Sequence, residues 1–310
     1  MSLNRIAMVL PYFGRLPSYF NFYLKSLEGK KLDVLLVSDL EVAVAPTNLK
    51  RVRMTLKEVE SLGARKLAVK VVLNAPIRLC DFKPMYGHVF EDYLKEYDYW
   101  AFGDCDLVYG NALNQFLDRV LAEQWDAVSC RSCWSSGSFF LMKNTDRMRR
   151  FYQRCVNWKE IAALERNSFV NFDEIGSQKY YRQLRMGQMT MAEATKERDC
   201  LSAALWRADD IQFLHEDVAC EDSLRQKKIR MESNGELSCN GVSIAYFHFI
   251  EAKWQRYFVC PFYPYSQIGD YWITETGIHL GAGAGGVYKL RSEWRKVSAL
   301  ARAAMRRIAK

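Results

Sequence analysis

Short, almost wholly apolar runs alternate along this chain with longer segments of helical spacing. Residues 5–10 and 32–37 are apolar apart from Arg5 and Asp33, the pattern of strands buried on both faces. The first run ends in Pro11-Tyr12-Phe13-Gly14 and the second in Ser38-Asp39, so each stops at a turn. Residues 17–27 read as a helix between them. Helical spacing over residues 83–97 leads into a third apolar run, 99–103, which is closed by Asp104-Cys105-Asp106. Residues 125–130 and 138–142 predict further strands and 145–155 a helix. Asp173 is expected to open another helix, running to about Leu184, with acids in its first turn.

The pattern changes near residue 229. Segments 229–232, 236–239 and 243–249 look antiparallel, with Ser233-Asn234-Gly235 as a turn. The expectation is an α/β fold flanked by helices: a mixed sheet, parallel in its N-terminal half, with antiparallel additions in the C-terminal half. One main domain is expected over residues 1–262. Residues 263–310 would form an extension, with a glycine-rich break at 281–286 and a terminal helix. Gly281, Gly283 and Gly286 match a dinucleotide-binding fingerprint literally, but that unit needs a preceding strand, a following helix and a later acid. A linker is the better reading.

Composition narrows the class. The chain has 310 residues, 49% hydrophobic and 26% charged, which suits a globular protein with a sizeable core. No apolar window is long enough for a membrane span, and the run at residues 6–10 is too short for a secretory signal. Nine scattered cysteines point to reduced thiols and a cytoplasmic location. Cys130 and Cys133 form a C-x-x-C pair without the second pair that a zinc site needs. The net charge is +8, yet from Lys289 onward eight lysines and arginines face only Glu293. The basicity therefore belongs to a tail and not to a nucleic-acid-binding surface. In that tail Trp294, Val297, Ala301, Ala304, Met305 and Ile308 share one helical face. Such a helix over 292–310 can lie on an anionic membrane surface; packing on the main domain explains it equally.

The candidate chemistry sits at strand ends, where open parallel sheets bind ligands. Asp104 and Asp106 follow a buried-type strand directly, and two carboxylates there are costly unless something positive lies between them. Mg²⁺ or Mn²⁺ bridging a diphosphate is a common solution. Solvated loop acids are the alternative.

This segment resembles the D-x-D region of glycosyltransferases with the GT-A fold. Residues 246–254, YFHFIEAKW, are similar to the HF-x-G-x-x-K-P-W motif of the glycogenin and bacterial lipopolysaccharide galactosyltransferase family. Ile250-Glu251 stands where that motif carries a glycine, and Gln255 falls where it ends in Pro-Trp. The resemblance spans roughly residues 5–262 and admits a less characterised bacterial glycosyltransferase-like family. It implies a GT-A-like sheet and a nucleotide-sugar donor, UDP-linked first among them. The acceptor would be a glycan or lipid-linked molecule in surface polysaccharide synthesis. His248 would join Asp104 and Asp106 on the metal, and Lys253 would meet the donor diphosphate. Pro11, Tyr12, Phe13 and Asp39 would contact the nucleoside, and Gly137, in the turn Trp134-Ser135-Ser136-Gly137-Ser138, would line the sugar pocket.

Two further candidates have plain alternatives. Asp173 or Glu174 could take a proton from an acceptor hydroxyl or hold the donor sugar, or could simply cap a helix. Lys83 could reach phosphate or sugar, or be a surface residue at a helix start. Glu216-Asp217 and Glu221-Asp222 read as solvated acids, and His88, His215 and His279 as structural. A Rossmann-type oxidoreductase shares the parallel sheet but would need glycines after the first strand. A non-catalytic carbohydrate- or membrane-binding protein with a decayed donor site is the other class.

Overall fold

The apolar runs form strands because their side chains can be buried on both faces, and the parallel pairs arise because helical segments separate them. In the computed structural model, the described residues are 5–132, 134–176, 178–221, 224, 227–255 and 258–281. Cys133, Asp222, Gly283, Gly286 and the tail at 292–310 lie outside them. The chain divides into two units, and the division passes between Asp104 and Cys105.

The first unit comprises residues up to 15, 31–104 and 117–217. Its sheet contains β1 (Ile6–Pro11), β2 (Asp33–Ser38), β3 (Leu49–Arg53), β4 (Tyr99–Gly103), β5 (Ala127–Ser129), β6 (Phe139–Lys143) and β7 (Phe213–His215). The spatial order is β3-β2-β1-β4-β6-β5-β7. The first four strands run parallel, with Ala7 opposite Asp33 and Met8 opposite Ala101. β6 is antiparallel to both β4 and β5, and β7 returns parallel to β5. The sheet is mixed, as expected.

The direction of β6 matters for the site. The carboxyl ends of β1, β2 and β4 share one edge, and Gly103 pairs with Phe139 at the start of β6. The turn before β6, carrying Gly137, therefore reaches the same edge as Pro11, Asp39 and Asp104. The core packs Val9, Leu35, Phe102, Trp100 and Phe140 against Met85, Tyr86, Val89 and Phe90. Leu56–Leu67 is a regular helix because Thr55 and Glu58 form a capping box.

Residues 83–97 are not one helix. Pro84 limits the first turn, and short pieces at Lys83–Met85, Tyr86–Val89 and Glu91–Tyr93 follow one another. Within them Gly87 lies against Trp100, where an added Cβ would come within 2.4 Å of the indole. The helix expected from Asp173 starts later, at Gln178–Arg185, because Asp173 and Glu174 are drawn into side-chain contacts. The helix expected over 145–155 is two short pieces, Asp146–Arg149 and Phe151–Arg154.

The second unit comprises residues 16–30, 105–116 and 218 onward. An antiparallel sheet has the order Val242–Ser243, Leu237–Cys239, Ile229–Met231, Tyr271–Thr274, Gly277–Leu280. The hairpin across 233–235 is as expected, with Met231 opposite Leu237. Tyr246–His248 does not extend this sheet. It pairs antiparallel with Leu107–Tyr109 and parallel with Ala219–Cys220 in a separate three-stranded sheet. Phe20–Ser26 is the helix expected near residue 20, and its Phe22 packs edge-on against Tyr271. Among the described residues no helix is long and apolar enough to cross a membrane.

Trp100 is fully buried and cannot swing aside. Gly87→Ala is expected to destabilise the fold by about 1–3 kcal/mol through overpacking. Urea unfolding followed by tryptophan fluorescence measures it; an unchanged midpoint would show that the ring has room to move.

Candidate functional site

Charges at the β4 edge of the first unit are paired with care. Lys83 is buried, and its ammonium lies 2.8 Å from Asp104 Oδ1 and 3.6 Å from Asp173 Oδ2. It also donates to the Gly137 carbonyl at 2.8 Å. Burial works against the ammonium, but Asp104 and Asp173 outweigh it and hold Lys83 charged well above its usual range. Lys83 is thus a buried organiser of the edge and not a surface residue at a helix start. Asp104 is anchored through its backbone N–H, which donates to the Ser138 carbonyl.

Gly137 is glycine because of what it faces. A Cβ there would fall 2.3 Å from Asp173 Oδ2 and 2.9 Å from Glu174 Oε1. Its N–H donates to Glu174, whose carboxylate also accepts from the Tyr181 hydroxyl. Asp173 is buried, and its own carbonyl accepts from Ser202 Oγ at 3.0 Å. Burial raises the Asp173 carboxyl, Lys83 pulls it down and Glu174 and Asp104 push it up, which together leave it at about 7.

The segment bearing these acids is fixed by a residue that the sequence reading passed over. Asp81 is fully buried against Arg78. It also accepts the backbone N–H groups of Val170 and Phe172, at 2.9 and 3.2 Å. The signal was present: a lone acid and a lone base, Asp81 and Lys83, within the otherwise apolar stretch Leu79 to Met85. Buried charges in such a run require partners from elsewhere.

Pro11 is buried at the end of β1, and Tyr12 continues the ladder by donating to the Val37 carbonyl at 2.9 Å. Phe13 packs into the core and Asp39 is exposed after β2. The first unit therefore brings Lys83, Asp104, Gly137, Asp173 and Glu174 into contact, with Pro11 to Phe13 and Asp39 on the same strand edge.

In the second unit the strand Tyr246–His248 carries His248 beside Asp106. Nε2 lies 3.3 Å from Asp106 Oδ2, and the Lys253 ammonium reaches the same oxygen at 2.5 Å. Asp106 and His248 are both buried. Burial pushes the Asp106 carboxyl up, but His248 and Lys253 outweigh it and hold it well below the usual carboxylate range. The backbone is tied as well, since Phe249 N–H donates to the Asp106 carbonyl at 3.0 Å.

Glu221 corrects the reading of a solvated acid. It is buried, and its Oε1 accepts from the Tyr246 hydroxyl at 2.7 Å. Glu216 and Asp217 remain partly solvated, paired with Arg119 and Arg131. The three other histidines sit in structural contacts: His88 with Tyr152, His215 stacked on Trp206, and His279 with Thr274.

Residues 8–279 match the family of unknown function DUF6625. The chain belongs to that family. No curated protein matches it. Among solved structures, this DUF6625 member is similar to the glycosyltransferase GlyE of Streptococcus pneumoniae TIGR4 at 15% identity and a TM-score of 0.29. The match covers 59% of this chain and 50% of that one. The apo form of the same glycosyltransferase gives 15% identity and a TM-score of 0.29, over 61% and 45% of the two chains. The chain thus spans about half the length of the structures it matches.

Two predictions follow from the first unit. Asp81→Asn leaves the Arg78 guanidinium buried without its counter-charge and weakens the tether on 170–172. A loss of about 3–5 kcal/mol is expected in chemical denaturation; a loss below about 1 kcal/mol would mean that the pair is not needed. The second concerns pH. The folded carboxyl of Asp173 titrates near about 7, above an unfolded aspartate at about 4. Between those values the folded protein holds more protons than the unfolded one, so this residue makes stability fall as pH rises through that window, then level off. In EDTA, Asp173→Asn should flatten that part of the melting-temperature profile; a parallel profile would refute the shift.

Proposed function

We propose that this protein is a metal-dependent glycosyltransferase of the GT-A type. It moves a sugar from a nucleotide diphosphate donor, UDP-linked first among them, to a glycan or lipid-linked acceptor in bacterial surface polysaccharide synthesis. The observation that carries the reading is the buried pair of Asp106 Oδ2 and His248 Nε2 at 3.3 Å. Two atoms bound to one small cation at about 2 Å each lie at such a separation. Asp104 stands two residues before Asp106, so chain connectivity alone keeps their Cα atoms within about 7 Å.

The donor set fits Mn²⁺ or Mg²⁺: two hard carboxylates and one imidazole, from Asp104, Asp106 and His248. A bound cation would supply Lewis acidity that offsets the charge developing on the departing diphosphate. In the structure Lys253 supplies positive charge to Asp106 and Lys83 to Asp104. Lys253, the more exposed of the two, is a cation suited to a phosphate group, whereas Lys83 is committed to Asp104, Asp173 and the Gly137 carbonyl. Asp173 is the better candidate for an acceptor proton, since burial raises its proton affinity. Glu174 is engaged by Gly137 and Tyr181 and suits sugar positioning. Pro11, Tyr12, Phe13 and Asp39 lie on the strand edge where the nucleoside would bind. Residues 292–310 would hold a cytoplasmic enzyme at the inner membrane face.

The test is a thermal-shift screen of nucleotides and nucleotide sugars, with and without Mn²⁺, on the wild type and on Asp106→Asn and His248→Ala. The native state should gain stability by mass action when ligand binds, by roughly 3 kcal/mol at a hundredfold excess over Kd. A shift with UDP that needs Mn²⁺ and disappears in both variants is expected. No shift with any nucleotide at saturation would remove the donor site and leave a non-catalytic binding protein.

A further inference from the structure

Two thiols of the second unit stand within reach of each other. Cys220 Sγ donates to Cys239 Sγ at 3.8 Å, although the residues are nineteen positions apart in the chain. Cys220 lies in the strand Ala219–Cys220, opposite Phe247 in the three-stranded sheet. Cys239 ends the strand Leu237–Cys239 of the antiparallel sheet, between Ile229 on one side and Val242 on the other. The contact therefore joins two sheets of the same unit. Packing holds it there: Cys220 is buried with Ile229, Leu237 and Phe247, and Cys239 packs against that cluster as a half-buried neighbour.

The geometry suits a covalent link. A disulfide needs its sulfurs about 2 Å apart, so these two must close by just under about 2 Å. That distance is small enough for side-chain rotation to cover. Exposure sets the order of reaction. Cys220 is only 5% exposed, whereas Cys239 is partly open to small solutes. In a reducing compartment such a pair rests as two thiols and closes only when an oxidant arrives.

We propose that Cys220 and Cys239 form a reversible disulfide when the protein meets a hydroperoxide. Cys239 gives its proton to water and attacks the peroxide. The O–O bond breaks, Cys239 becomes a sulfenic acid, and the first water is released. The Cys220 sulfur then attacks the Cys239 sulfur. The S–O bond breaks, the S–S bond forms, and the hydroxyl leaves with the Cys220 proton as a second water. Two electrons pass from the two sulfurs to the peroxide. An external dithiol restores both thiols by exchange. The link closes a ring over residues 220–239 and fixes the strand against which Tyr246–His248 pairs. It is independent of the glycosyltransferase reading.

The experiment treats the folded full chain with hydrogen peroxide, blocks remaining thiols with N-ethylmaleimide, and maps tryptic peptides by mass spectrometry without reduction. A peptide pair joined through Cys220 and Cys239 is expected, and dithiothreitol should separate it. The ring should raise the melting temperature of the oxidised wild type by about 5 °C or more. Cys220→Ala and Cys239→Ser should show no such rise. In Cys220→Ala, dimedone should trap the sulfenic acid on Cys239. No linked pair at peroxide concentrations that oxidise other thiols overturns the proposal, as does a pair that forms only in urea. A melting temperature that falls on cross-linking also overturns it, because the link would then distort the fold. Absence of the dimedone adduct would remove Cys239 as the first sulfur and overturn the assigned order.

Discussion

A buried ammonium with three oxygen partners organises the first unit. Lys83 joins Asp104, Asp173 and the Gly137 carbonyl, four positions scattered over some ninety residues of chain. Taking a charge out of water costs several kcal/mol, so each partner is needed and none can drift far. That requirement explains neighbouring choices. Gly137 must lack a side chain because Asp173 and Glu174 occupy the space. Arg78 and Asp81 form a second buried pair one turn earlier, and Asp81 spends its remaining acceptors on the backbone that leads to Asp173. Mixed sheet topology makes the arrangement possible, because only a reversed β6 returns the glycine turn to the edge where β4 ends.

The second unit solves a related problem with different groups. Asp106 is buried, and His248 and Lys253 both converge on one of its oxygens. Behind His248 stands Glu221, itself steadied by Tyr246. The strand Tyr246–His248 can present this row because it lies between Leu107–Tyr109 and Ala219–Cys220. Each aspartate of the Asp104-Cys105-Asp106 segment thus meets a lysine of its own unit.

The strands of the large sheet were legible because burial on both faces leaves an unbroken apolar run, and the hairpin at 233–235 because its turn residues are local. Failures occurred where distant partners overrode local pattern. Residues 83–97 have helical spacing, yet Pro84 and the approach of Gly87 to Trp100 break them into short turns. Asp173 and Glu174 read as a helix start, but their side chains are claimed by Lys83, Gly137 and Tyr181, and the helix begins after them. Residues 243–249 alternate like a third strand of the hairpin sheet, but Ser243 alone of them stays in it, and pairing with Leu107–Tyr109 takes Tyr246–His248 elsewhere.

The sequence by itself determined the α/β class, the strand ends at Pro11, Ser38 and Gly103, and the chemical types Asp104, Asp106 and His248, since these follow from periodicity and from residues adjacent in the chain. Tertiary structure decided which charges are buried and with whom. Lys83, Asp81 and Glu221 look like ordinary polar residues in one dimension. Their roles arise from pairings with residues up to ninety positions away, which depend on sheet order and strand direction and leave no local periodicity to read.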